Sequence, residues 1–285
     1  MAVNILDSIT EQYPSFTRSG KKLADYIFAN TNATQYLSIS ALAENSGVSE
    51  ATITRFCKNL GLSGYNDFKL AIAKSDRITD IGEPTGTPST ITSEDSLSSI
   101  FQKLLSANIL SLTETYHLLD EKAISRAVDL ISKANRVYCF GHGGSSVMAM
   151  EAWARFTTAS SHFVHIADSH MQVITISLAT PQDVILFFSY SGATRDMEDV
   201  LKIAKERKVP VILITHFPKS HATDFADVIL LCGYNESPMQ SGSIAAKMGQ
   251  MFLIDCLFYG LCKKNPELYA EAKATTAAAI AKKLL

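Results

Sequence analysis

Apolar positions change rhythm along the chain, and the change divides it. From Leu23 onward they recur three and four apart: Leu23, Ile27 and Phe28, then Leu42, Ile53, Phe56 and Leu60, then Phe68, Leu70 and Ile72. That spacing lays an apolar stripe along each helix, and no alternating β-branched run interrupts it, so residues 1–75 are expected to be all helical. Residues 76–96 break the rhythm with two glycines, two prolines and many Ser and Thr, the composition of a linker. Two amphipathic stretches follow, Leu97 to about Leu119 and Glu121 to Ala134. Short, almost continuous apolar runs then alternate with helical segments: Val137–Phe140, Phe163–Ile166, Val184–Phe188, Val211–Ile214 and Val228–Leu231. Apolar strands separated by helices imply a parallel sheet covered on both faces, a three-layer α/β domain. The expected organisation is multidomain: an all-α domain at 1–77, a linker at 78–96 and an α/β domain at 97–285.

Composition narrows the classes. The chain has 285 residues, 47% hydrophobic and 19% charged, with a formal net charge of −2. Such apolar content excludes intrinsic disorder for most of the chain and gives each domain a core. A net charge near zero provides no bulk attraction for nucleic acid, so any DNA contact must rest on a few well-placed cations. No run approaches the ~18 apolar residues of a membrane span, and the first residues lack a signal peptide's basic and apolar blocks. The five cysteines form no C-x-x-C pair, so neither a structural metal nor a disulfide framework is expected. These features predict a reduced, cytoplasmic protein without a membrane partner.

Two features carry chemistry. Residues 39–60 have helix-turn-helix spacing: Ala43 is small where two helices approach, Gly47 falls at the turn, and Ile53 lies on the inner face of the second helix with Leu42, Val48 and Phe56. Ser49 is the expected N-cap of that second helix. Its outer face then presents Glu50, Ala51, Thr54, Arg55, Lys58 and Asn59, side chains suited to a major groove, where Arg pairs with guanine and Thr meets the thymine methyl. A solvated bundle face is the plainer alternative.

The second feature is a pair of strand-to-helix turns. The first strand ends in Gly141-His-Gly-Gly-Ser-Ser146, with a helix expected from Val147 to about Thr157. The third ends in Ser189-Tyr-Ser-Gly-Ala-Thr-Arg195, with Ser191 the expected N-cap of the next helix. Strand, glycine turn and helix N-terminus together present amide N–H groups and the positive end of a dipole, which bind anions. Ligands of open α/β sheets sit beyond the carboxyl ends of the strands, so two hydroxyl-rich turns there suit a phosphate joined to a polyol. Taken alone, Gly141-x-Gly143-x-x-Ser146 also imitates a dinucleotide fingerprint, with Asp168 in the place of the ribose-binding acid.

Thr52-Ile53-x-Arg55-Phe56-x-Lys58-x-Leu60-Gly61-x-x-Gly64-Tyr65-x-x-Phe68-Lys69 resembles the helix-turn-helix signature of the RpiR family of bacterial transcription regulators, which couple that domain to a sugar isomerase (SIS) domain. Ser189-x-Ser191-Gly192-x-Thr194 and Gly141-x-Gly143-x-Ser145 are similar to the two loops of SIS domains. The resemblance implies that Ser145, Ser189, Ser191 and Thr194 hold a phosphate, with Tyr190 and the amides of Gly144 and Gly192 beside them. Ser49, Glu50, Thr54, Arg55 and Lys58 are the expected DNA-facing residues. Ser243 or Lys247 could approach the ligand, although packing and solvation explain them equally well. The segment Thr157–Ser160 departs from the usual SIS pattern.

SIS domains also occur in aldose–ketose isomerases, which need a base near a substrate carbon. His142, His170 and Glu236 are the candidates, and none belongs to a defined motif. The expectation is therefore a regulator without turnover or cofactor, acting on double-stranded operator DNA under control of a sugar-phosphate effector, as a homodimer or homotetramer. An isomerase, or an NAD(P)-binding enzyme, is the alternative.

Overall fold

The computed structural model describes residues 4–75, 91, 93–234, 236 and 243–283. Most of the expected linker, including its boundary with the first domain, therefore lies outside the described residues. Chain contacts separate two compact units, residues 1–90 with 235–243, and 91–234 with 244–285.

The first unit is helical, as its periodicity requires: α1 (Ile5–Gln12), α2 (Arg18–Ala29), α3 (Thr31–Thr34), α4 (Ile39–Ser46), α5 (Glu50–Asn59) and α6 (Tyr65–Ser75). Their inward faces meet in one core where Leu23, Ile27, Leu42, Ile53, Phe68 and Ile72 are fully buried. Each such side chain contributes about 1.5–3 kcal/mol of apolar burial. Cys57 lies in this core, and burial pushes its thiol up to about 12, so it stays protonated and unreactive.

The second unit opens with α7 (Leu97–His117) and α8 (Glu121–Lys133). It continues as β1 (Val137–Gly141), α9 (Gly144–Thr157), β2 (Phe163–His165), α10 (Ser169–Ser177), β3 (Val184–Phe188), α11 (Arg195–Arg207), β4 (Val211–Thr215), β5 (Val228–Leu231), α12 (Ile244–Lys264) and α13 (Pro266–Ala281). All five expected strands are present within one residue of their ends, in an all-parallel sheet ordered β2-β1-β3-β4-β5. Alternation along β1 sends Val137 and Cys139 into a core shared with α8, α9 and α12, and Tyr138 and Phe140 into a second core with α10 and α11. Helices thus cover both faces, which is why the strands read as continuous apolar runs. By length and composition α12 could cross a membrane. Its apolar character has a packing cause, since Leu253, Ile254, Leu257, Phe258 and Leu261 are buried in the first of these cores.

From β1 the chain moves to β2 on one side, then returns to β3 on the other side of β1. The switch point of the sheet therefore lies between β1 and β3, the position where open α/β sheets bind ligands.

Candidate functional site

At that switch point the register sets Gly141, the end of β1, against Phe188, the end of β3. The two turns singled out in the sequence therefore leave the same edge of adjacent strands. A Cβ on Gly141 would lie 2.5 Å from the Ser145 carbonyl oxygen and 3.2 Å from that of Phe188, so the absent side chain lets the turn and both strand ends close up.

The first turn differs from its expected form. α9 begins at Gly144, not Val147, which places Ser145 and Ser146 inside the first helical turn. Their amides bond back to the His142 and Gly143 carbonyls, both at 3.1 Å. Glycines read as helix breakers in sequence; here tertiary context overrides their low propensity. The N-cap is Gly143, which has no side chain to close the helix end.

His142 follows β1 directly. Gln172 Nε2 donates to the Ile166 carbonyl at 2.7 Å, so Gln172 Oε1 accepts, and His142 Nε2 carries the proton across their 2.9 Å contact. His142 Nδ1 is buried and makes no hydrogen bond within the protein. Lys247 completes this corner from α12: a Cβ on Gly144 would lie 3.8 Å from its Cε and 4.0 Å from its Nζ. An ammonium beside an uncapped helix N-terminus is an electrostatic arrangement for an anion.

In the second turn Ser189 is buried and its hydroxyl accepts from the Gly192 amide at 3.2 Å, while the Ser191 hydroxyl accepts from the Ala193 amide at 3.3 Å. The N-cap of α11 is Thr194, not Ser191, and its hydroxyl makes no cap hydrogen bond. Gly192 adopts φ +60°, and a Cβ there would meet Ser220 Oγ at 2.1 Å, so both backbone conformation and space demand glycine. The end of β4 supports this turn: His216 N and Thr215 Oγ1 both donate to the Tyr190 carbonyl, and Ala222 N donates to that of Gly192. Tyr190 anchors it from the other side. Its hydroxyl donates to the Tyr234 carbonyl at 2.8 Å, and its ring stacks on His216 at 5.0 Å.

The structure thus brings together Gly144, Ser145, Ser189, Tyr190, Ser191, Gly192 and Thr194, with the Tyr190 hydroxyl engaged by protein. Asp168, the ribose-acid candidate, caps α10 by accepting from the Met171 amide at 2.8 Å. His170 lies exposed in the first turn of α10. Glu236 accepts from the Ser243 amide, in the stretch that groups with the first unit. A half-open cavity of about 240 Å³ elsewhere in the second unit is lined mainly by apolar residues, and its acid Asp120 caps α8, so it offers no grip on an anion.

In the first unit, Gly47 closes α4 in the left-handed region at φ +63°, its amide bonding to the Ala43 and Glu44 carbonyls, and Lys22 Nζ donates to the Gly47 carbonyl at 3.1 Å. Ser49 caps α5 as expected, accepting from the Thr52 amide at 3.2 Å. Ile53, Phe56 and Cys57 face inward; Ala51, Arg55, Lys58 and Asn59 are exposed, and Thr54 is half-buried. The Glu50 carboxylate accepts from the Ser40 hydroxyl, which ties α5 to α4.

A model of the helix-turn-helix domain of the rpiR family matches residues 3–77, and a SIS domain model matches residues 130–259. An HTH-type transcriptional regulator of Clostridium perfringens is 32% identical over 98% of this chain and 99% of its own. The regulator HexR of Escherichia coli is 28% identical over 90% of this chain and 88% of its own. Among solved structures, Vibrio vulnificus NanR complexed with ManNAc-6P superposes with a TM-score of 0.88 at 26% identity, covering 99% of each chain. Fold, site and relatives together define a class, the helix-turn-helix transcription regulators that carry a SIS domain. Within that class the chain belongs to the rpiR family.

Proposed function

We propose that the protein regulates a sugar-metabolism operon, with α5 reading operator DNA and the β1–β3 switch point holding a sugar-phosphate effector. The observation that carries the effector reading is the pair of uncapped helix N-termini, at Gly143 and Thr194, on one sheet edge. Two helix dipoles, the hydroxyls of Ser145, Ser189, Ser191 and Thr194, and the Lys247 ammonium suit a dianionic phosphate. Likeness to NanR, solved with ManNAc-6P, supports phosphorylated sugars, amino sugars included, as the ligand class.

On the DNA side, Arg55, Lys58 and Thr54 face the groove, while Ser49 and Glu50 set the start of the helix. The domain limits are 1–77, 78–96 and 97–285, and DNA as target implies a cytoplasmic location. The chain acts as a homodimer, because paired recognition helices match half-sites about one DNA turn, ~34 Å, apart. The effector shifts operator affinity by binding two states of the dimer unequally. Mobility-shift titration of a promoter fragment from the protein's own operon tests this. Binding weakens steeply with salt and changes at least tenfold with one member of a sugar-phosphate panel. Salt-insensitive binding, or none of the panel acting, defeats the reading.

A further inference from the structure

Residues 1–75 hold seven Lys and Arg, and three of them fall within five positions: Arg18, Lys21 and Lys22. All three lie on the first two turns of α2, whose first turn carries no acid. Arg18 and Lys22 are exposed, and Lys21 is half-buried. The one acid of that helix, Asp25, accepts from the Tyr13 hydroxyl at 2.7 Å. The Lys21 ammonium stands over the Tyr13 ring, 5.6 Å from its centroid, and a ring face holds a cation without cancelling its charge.

The fold does not account for these cations. Positive charge is favoured near the C-terminal end of a helix; in the first turn, where Arg18 and Lys21 sit, it opposes the dipole by roughly 0.3–1 kcal/mol each. Thr17 already caps the helix, accepting from the Gly20 amide at 3.2 Å, and Leu23, Ala24 and Ile27 supply its packing. A local rule broken on an exposed face, with no gain in packing, points to function.

Their place identifies the ligand. Lys22 Nζ donates to the Gly47 carbonyl at 3.1 Å, and Gly47 closes α4 three residues ahead of Glu50, where α5 starts. A neutral acceptor leaves the ammonium its full charge. Placing α5 in a major groove about 12 Å wide brings the turn before it to the groove wall, where the phosphates stand. Arg55 and Lys58 then face the groove, while the cations of α2 meet its wall.

We propose that Arg18, Lys21 and Lys22 form a phosphate clamp, a second DNA contact on the backbone beside the groove that α5 reads. The proposal rests on the DNA reading above and divides the work within it, since phosphate contacts position a protein and base contacts specify the sequence. It also explains how a chain with a formal net charge of −2 attracts a polyanion: five of the seven cations in this unit lie on α2 and α5.

Salt-titrated mobility shifts with the full-length protein test the clamp, using a promoter fragment from its own operon and an unrelated duplex of equal length. Each phosphate contact contributes about 0.9 to the slope of log K against log salt. The triple substitution Arg18→Gln, Lys21→Gln and Lys22→Gln therefore flattens the slope by about 2–3, and each single substitution by about 1. The triple variant weakens both duplexes by the same factor, at least tenfold at low salt, whereas Arg55→Ala reduces the preference for the promoter fragment. Lys21→Arg with Lys22→Arg keeps the wild-type slope, which separates charge from folding. A triple variant with the wild-type slope, or one that loses only the promoter fragment, overturns the clamp while operator reading by α5 stands. A wild type that binds neither duplex defeats the DNA reading itself, and the clamp with it.

Discussion

The two units close most of their helix N-termini alike and differ where β1 and β3 end. In the helical unit α1, α2, α4 and α5 begin at Asn4, Thr17, Ser38 and Ser49, and each of those side chains accepts from a backbone amide of its own first turn. In the α/β unit α7, α8 and α10 are closed in the same way by Ser96, Asp120 and Asp168, while α9, α11 and α13 begin without a side-chain cap hydrogen bond, as α3 does in the helical unit. Of these, α9 and α11 flank the switch point. A cap typically adds about 1 kcal/mol, so a helix end left open forgoes stability and leaves donors for something else to satisfy. In the first unit the side-chain caps serve the fold, and the proposed operator-reading contacts lie on the outward face of α5. In the second, the proposed effector contacts are the open ends of α9 and α11 themselves.

Substitutions that ignore this difference have the largest expected effect. Gly141→Ala drives a methyl group into the Ser145 carbonyl and forces the two turns apart; it costs about 3 kcal/mol of stability, measured by denaturant unfolding, and abolishes effector binding. Next comes the side-chain face. Arg55→Ala weakens operator binding by roughly 10–100-fold while leaving the unfolding midpoint unchanged. The contrast itself is sharpened by paired cap deletions. Ser49→Ala costs about 1 kcal/mol of stability, whereas Thr194→Ala leaves stability within about 0.5 kcal/mol and lowers sugar-phosphate affinity. If both cost stability equally, the α11 end is an ordinary cap.

The smallest effect concerns pH. Burial lowers the pKa of His162, so the folded state favours its neutral form. The unfolded chain then takes up the proton more readily, and stability declines as pH falls below the free histidine value of about 6.5. Thermal scans at pH 7.5 and 5.5 should show a larger drop for the wild type than for His162→Gln.

Much of this was legible in the chain. The strands were, because strands buried on both faces are apolar throughout; so were the turn at Gly47 and the cap at Ser49, because each depends on local geometry. α9 starts three residues before the expected Val147, since Gly143 and Gly144 read as a loop until Gly141 packs against β3. From sequence Ser191 is the expected cap of α11, since Ser and Thr are nearly equivalent as caps and only the observed backbone chooses Thr194. Strand order and the approach of Lys247 to Gly144 depend on pairings distant in sequence, which local patterns do not encode. The role of Ser220 behind Gly192 was likewise invisible, although a glycine between two hydroxyl residues was a signal that something fills the space.

Thermal unfolding of the full-length protein with matched pairs of ligands, each sugar 6-phosphate beside the same sugar without its phosphate, tests the open-end account most directly. A phosphorylated sugar at 100 times its Kd should stabilise the α/β unit by about 2.7 kcal/mol, its unphosphorylated partner should do nothing, and Ser189→Ala should remove most of the gain. Equal stabilisation by both members of a pair, or an undiminished response in Ser189→Ala, would contradict the claim that these two helix ends are held open for a phosphate.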